Sequence, residues 1–455
     1  MTRIETAVAA LKTGFSGALL CPGAEGYDAA RTVVAGGIDR HPGAIARVRN
    51  TADVQRVVEV ARETGLELAI RSGGHSNAGH STTEGGLVLD LREMKAIDVD
   101  PTSRTLWAET GATAMEVTQA ALRHGLVVGF GDTGSVGIGG LTLGGGVGYL
   151  SRKWGLTIDS MLAAEIVTAD GTLRTASAEE NSELFWALRG GGGNFGVVTR
   201  IRFQLNALPA FTGGMLCLPA TPETLAGFVA AAEAAPDELS TIANVMPAPP
   251  LPFLPKEVVG QTVILAMLAF AGPDDAAAQA IAPFRELAQP YADFVKPGPY
   301  TQMFPPENPD YRPTAAARNM FMDRIRIAEA RTILETLGAS DAPFRVAQIR
   351  VLGGAVSRVA SDATAYAHRR APIMVNLAAF WTTTEERPRR EAWVDEFVGA
   401  LTQETQGVYV NFLGAEGPDR VRAAYPGVTW ERLSRVKRTF DPSNLFRLNQ
   451  NISPA

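Results

Sequence analysis

The sequence predicts an α+β protein with more than one domain, the later one carrying a mainly antiparallel sheet. Three observations predict this. A chain of 455 residues allows two or three domains of roughly 100–200 residues each. Between 44 and 206, short β-branched runs alternate with stretches of helical periodicity. After Leu208 glycine thins out, alanine-rich helical segments appear and alternating strands follow, which marks a second domain.

In chain order, 44–49 reads as a strand and 51–64 as a helix that Thr51 can cap, followed by a strand at 66–71. Strands follow at 86–91 and 104–109, then a helix over 112–124 that Gly125 ends. A strand near 163–168, a helix over 182–188 and a strand over 196–203 complete the first part. In the second part, 222–235 and 274–287 read as amphipathic helices, and 344–352 and 373–381 as strands. Six prolines with Tyr300, Phe304 and Tyr311 make 297–313 either an ordered lid or a plain connector. The tail, 432–454, returns to a helix followed by Asp441-Pro442-Ser443-Asn444.

Composition excludes several classes. Forty-two basic and 48 acidic residues give a net charge of −6, and no segment gathers a basic stripe, so nucleic acid is not an expected partner. Cys21 and Cys217 form no CxxC pair, so neither a disulfide framework nor a metal site is expected, and a reducing cytoplasm is the expected compartment. Glu5 and Lys12 interrupt the N-terminal apolar residues, and no apolar run approaches the ~18 residues of a membrane span, so no membrane partner is expected. Oligomeric state stays open.

Glycine is the unusual residue. There are 46 where an average usage of about 7% predicts roughly 32, and 24 of them fall between Gly73 and Gly196. The first cluster, Arg71-Ser72-Gly73-Gly74-His75-Ser76, follows a predicted strand, and such a turn exposes successive N–H groups that cradle phosphate oxygens, with Arg71 adding charge. In the second, 131–148, nine of eighteen positions are glycine, too many for an ordinary helix or strand, while Val136, Ile138, Leu141, Leu143 and Val147 argue against a flexible linker. This is backbone lying along an extended ligand. The third cluster, 190–199, contains a formal GxGxxG match at 191–196, but the helix precedes it and the strand follows, the reverse of a nicotinamide dinucleotide site.

These segments, with Ser151-Arg152, Gly155-Leu156-Thr157-Ile158-Asp159 and the tail Asp441-Pro442-Ser443-Asn444-Leu445-Phe446-Arg447-Leu448-Asn449-Gln450-Asn451-Ile452, carry a resemblance. The chain resembles flavoprotein oxidases of the vanillyl-alcohol oxidase superfamily, berberine-bridge-enzyme-like branch, and looks most like the bacterial hydroxynicotine-oxidase group. The resemblance implies a bipartite FAD-binding domain of the PCMH type, 1–206 and 412–455, with a substrate domain at 207–411 between its halves. It implies FAD contacts from Arg71, Ser72, Gly73, Gly74, His75, Ser76, Thr133, Val136, Gly137, Gly139, Gly140, Thr142, Gly146, Gly148, Gly196, Val198, Asn449 and Asn451.

His75 matches the family histidine bonded covalently to the flavin, and a neutral imidazole is a competent nucleophile for that role. Many members add a cysteinyl link, but the matching position is Thr133, so one covalent bond is expected. Val136 matches a position where valine accompanies oxidases, which favours molecular oxygen as acceptor.

For the substrate face, alternation in 346–352 sets Gln348 and Arg350 opposite Ala347, Ile349 and Val351, and in 408–412 it sets Tyr409 and Asn411 opposite the valines and Phe412. The Tyr-x-Asn pattern resembles a family segment over the flavin ring, where the fourth residue is often tyrosine; here it is Phe412. Tyr409, Gln348 and Asn411 are the candidate catalytic residues, with Trp381 and Asn376 behind them. The expected reaction is hydride transfer from a small alcohol or amine to flavin, with oxygen reduced to hydrogen peroxide. A flavin dehydrogenase with another acceptor, or a ligand-binding flavoprotein with little turnover, are the alternatives.

Overall fold

The structure, a computed structural model, describes every residue of the chain except Glu307 and Pro309. Three large sheets organise it. The first has strands in the order 18–20, 44–47, 87–90, 68–71, with the last three parallel. Its parallel pairing requires a crossover, and helix Thr51–Thr64 provides it, burying Val54, Val57, Val58 and Ala61 against the sheet. The cap of this helix is Asn50, whose side chain accepts from the Asp53 N–H, not Thr51 as the sequence suggested. Gly65 ends it in the left-handed conformation, φ 64°.

The second sheet is antiparallel in the order 97–100, 105–109, 197–204, 161–167, 173–177. Helices Ala114–Leu122 and Ser182–Leu188 share its core, capped in the first case by Thr113 and Glu116 acting reciprocally. The third sheet spans residues 212–380 and every pairing in it is antiparallel, as expected. Helices Pro222–Ala234, Asp274–Arg285, Ile327–Ala339 and Arg387–Leu401 bury one of its faces; Ala347, Ile349 and Val351 point to them, which turns Gln348 and Arg350 the other way.

Three expectations need correction. Residues 131–148 do contain helix, Ile138–Leu143, because its apolar side chains are buried and offset the low propensity of Gly139 and Gly140. Residues 408–412 are not a strand: Val410–Phe412 forms a 3₁₀ turn, so Phe412 does not share a face with the valines but packs on the Tyr409 ring, 5.1 Å away. Trp381 packs toward the helix-covered face of the third sheet, away from any site. In 297–313, Glu307 and Pro309 lie outside the described residues; Tyr300–Met303 is a 3₁₀ turn whose Tyr300 and Met303, with Phe304, are buried against Phe211 and Tyr149.

The C-terminal tail returns to the first two sheets through a buried ion pair. Lys437 Nζ lies 2.6 Å from Asp441 Oδ2, both side chains fully buried, and also donates to the carbonyls of Asn194 and Phe446. Asp441 accepts in turn from the N–H groups of Leu445 and Phe446, both at 2.8 Å. Removing one member strands the other charge, which typically costs about 3–5 kcal/mol. Lys437→Met is therefore expected to lower stability by about that amount in urea unfolding.

Candidate active site

The glycine clusters converge because two of them touch. A Cβ added to Gly73 would overlap the backbone nitrogen of Gly137, and one added to Gly137 would overlap that of Gly73, so only glycine at both lets turn 71–76 lie against 131–148. Ser72 fastens the contact by donating to the Thr110 carbonyl at 2.5 Å. A cavity of about 460 Å³ opens along this junction.

The first cluster gives it Ser72, Gly73, Gly74, His75 and Ser76, and among the described residues the N–H groups of Gly73, Gly74, His75 and Ser76 meet no protein acceptor. The second gives Thr133, Val136, Gly137, Gly139, Gly140 and Gly146, and the third gives Gly196 and Val198. The tail adds Asn449, whose Oδ1 is buried without a partner, and the 3₁₀ turn adds Tyr409 and Asn411.

Six expected site residues stand elsewhere. Arg71 does not face the cradle; its guanidinium donates to the carbonyls of Ala30 and Thr32, and burial lowers its pKa to about 10. Thr142 is buried inside the 138–143 helix, and Gly148 is glycine because its backbone lies on the Phe130 carbonyl. Asn451 does not line the cavity. Gln348 is turned aside, donating to Asn244 at 2.9 Å and accepting from Arg350; Asn376 sits beside it in register and also stays off the cavity wall.

Tyr409 is only 2% exposed, and its hydroxyl oxygen accepts from the N–H of Gly146 at 2.8 Å, of Val147 at 3.3 Å and from Asn411 Nδ2 at 2.9 Å. Burial raises its pKa despite these donors, so it keeps its proton. It clamps the glycine-rich backbone to the tail. Burial depresses the pKa of His75, only partly opposed by the Ser135 carbonyl, so its imidazole is neutral at pH 7. Asp132 was not picked out from the sequence, and Arg350 was read there only as sharing the site-facing side of its strand with Gln348. Asp132 lines the cavity and pairs at 2.5 Å with Arg350, which is 4% exposed. The available signal was that Asp132 is the one charged residue in 131–148.

A long cavity with a row of unpaired N–H donors and an unpaired amide oxygen fits an anionic, nucleotide-like group. Gly140 and Gly193 support the same fit. Both line the cavity, neither has a left-handed backbone, and a Cβ on either would meet nothing within 4 Å, so the protein's own packing gives no reason for glycine there. Within a helix, Gly140→Ala gains up to about 1 kcal/mol of propensity. It is expected to keep or raise the unfolding midpoint of the ligand-free protein while reducing the bound cofactor measured by absorbance. Gly73→Ala, which forces two backbones apart, is expected to lower stability itself by about 1–3 kcal/mol.

Comparison with known proteins places the same segments. A family model for an FAD binding domain matches residues 42–177, and one for berberine and berberine-like proteins matches 408–453. An uncharacterized FAD-linked oxidoreductase of Bacillus subtilis (strain 168) is 32% identical, covering 97% of this chain and 98% of its own. (R)-6-hydroxynicotine oxidase of Paenarthrobacter nicotinovorans is 30% identical over 96% of this chain and 97% of its own. Among solved structures, 6-hydroxy-D-nicotine oxidase from Arthrobacter nicotinovorans superposes with a TM-score of 0.86 at 27% identity, covering 97% of this chain and 99% of the other.

Proposed function

The chain belongs to the berberine-like family of FAD-linked oxidoreductases, and from that premise we propose that it is an oxidase of a small alcohol or amine, with FAD bonded to His75 and oxygen as acceptor. The single observation that carries this reading is the meeting of His75, the unpaired N–H row and the Asn449 acceptor along one cavity. When bound, the flavin supplies the acceptor for a hydride and passes the electrons to oxygen, giving hydrogen peroxide.

The chain's own residues have distinct parts in this proposal. Gly73, Gly74 and Ser76 direct N–H groups at the pyrophosphate, Ser72 fastens their turn to Thr110, Gly140 and Gly193 leave room for the body of the cofactor, and Asn449 accepts from a donor on it. A buried, neutral His75 has the free lone pair a nucleophile needs, which favours its role as tether. Thr133 stands on the cavity wall with its hydroxyl turned to Asp132 at 3.3 Å, and neither cysteine lines the cavity, so the proposal has one covalent link. Tyr409 and Asn411 hold the wall of the site in place, and Val136 lines it. The proposal also keeps the division into 1–206, 207–411 and 412–455, with the polar face of the third sheet turned to the substrate.

Anaerobic bleaching of the flavin is the test, across a panel of 6-hydroxynicotine, mono- and oligosaccharides, and simple alcohols and amines. At least one compound is expected to bleach the flavin, and admission of air is expected to restore its colour with formation of peroxide. Bleaching followed by slow reoxidation in air would point to a dehydrogenase instead. A flavin that no compound reduces would contradict turnover of these substrate classes.

A further inference from the structure

The proposed oxidation needs a group that takes a proton from the substrate. Tyr409 keeps its own proton and spends its oxygen on backbone N–H groups, Phe412 has no hydroxyl, Tyr425 donates its hydroxyl to the Gly190 carbonyl, His75 serves as tether, and His80, the second imidazole on the wall, has its Nε2 fully buried and its pKa lowered by burial to about 4. One carboxylate remains. Among the described residues, Asp132 is the only Asp, Glu, Lys or Arg lining the cavity. We propose that Asp132 is the proton acceptor of the oxidation and that Arg350 is its positioning residue, an inference that rests on the oxidase reading above.

The geometry holds Asp132 with one oxygen engaged and lone pairs left over. Arg350 Nη2 binds Oδ2 at 2.5 Å, while Oδ1 receives only a long 3.3 Å bond from the Thr133 hydroxyl. The side chain of Asp132 is 27% exposed, on the cavity side, against 4% for Arg350. The guanidinium is occupied on its other edges: Nε and Nη2 donate to Gln348 Oε1 at 3.2 and 2.7 Å, Nη1 approaches the Val147 carbonyl at 3.4 Å, and Cζ lies 5.1 Å from the Phe412 ring centre. Arg350 therefore cannot turn to a substrate anion. It fixes the carboxylate, and Gln348 and Phe412 fix Arg350. The other titratable groups near Asp132 are the phenols of Tyr149 and Tyr300, which burial keeps neutral.

In the proposed step the substrate O–H or N–H bond breaks and its proton goes to Asp132. The electron pair left behind becomes the second bond of a carbonyl or imine as the neighbouring carbon loses a hydride to the flavin. The substrate loses two electrons, the flavin gains them, and oxygen later takes them up. The free carboxylate oxygen on the wall selects substrates that present an O–H or N–H donor to it.

Two measurements on flavin-loaded protein test this. The first needs no substrate: the flavin midpoint potential, found by equilibration with a reference dye, is expected to shift to a more positive value in Asp132→Asn and to return toward wild type in Asp132→Glu. The second is the rate of anaerobic bleaching with the panel compound that bleaches the wild type. Asp132→Asn is expected to lose about 10²–10⁴-fold in that rate, and Asp132→Glu to recover part of it. Arg350→Gln is expected to slow bleaching and Arg350→Lys to restore part of it, a rescue that a merely structural role would not give. If Asp132→Asn fails to hold flavin, Asp132→Glu is expected to retain both flavin and measurable bleaching, and a flavin-loaded Asp132→Glu that does not bleach overturns the proposal. An unchanged potential in Asp132→Asn overturns the placement of Asp132 whether or not any compound bleaches. Wild-type protein that binds no flavin overturns the reading beneath the proposal instead.

Discussion

The site depends on two backbones that touch at Gly73 and Gly137. Neither tolerates a Cβ without overlapping the other, and that contact brings the turn after the third strand of the first sheet against the segment that opens the 138–143 helix. Once the two lie together, Ser72 reaches the Thr110 carbonyl and the N–H groups of 73–76 are left facing the cavity. Backbone that pairs with nothing in the protein is costly to bury, so the arrangement makes sense as a binding surface. The local glycine surplus thus has two physical causes, close approach of chain to chain and room for a cofactor.

The rest of the molecule closes this junction from two sides. The tail is drawn in by the buried Lys437–Asp441 pair, and Asn194 holds it by accepting from Ile452 N–H and donating to the Gln450 carbonyl. Tyr409 and Asn411 come from just before the tail; the Tyr409 hydroxyl accepts from the N–H of Gly146, and Asn411 donates to the carbonyl of Leu141. From the other side, the third sheet presents Arg350 to Asp132. Residues separated by more than 200 positions therefore meet at one wall of the cavity.

Much of this was legible in the sequence. Helices 51–64 and 182–188 were readable from periodicity, and the three glycine clusters named most of the cavity wall. What was not legible depended on partners distant in sequence. Arg71 looks like a phosphate ligand until the carbonyls of Ala30 and Thr32 take its donors, and Gln348 looks like a substrate contact until Asn244 and Arg350 claim it. Alternation in 408–412 mimicked a strand, but no neighbouring strand pairs with it, so the segment coils into a 3₁₀ turn. Asp132 escaped notice because a carboxylate gains its meaning from the arginine opposite, 218 positions away.

The central claim is that His75 holds FAD by a covalent bond in this cavity. Mass measurement of the denatured, protease-digested protein tests it most directly. The account predicts the mass of FAD on the peptide that contains His75, and its loss in His75→Ala. Flavin released intact on denaturation, with the His75 peptide at its unmodified mass, would contradict it.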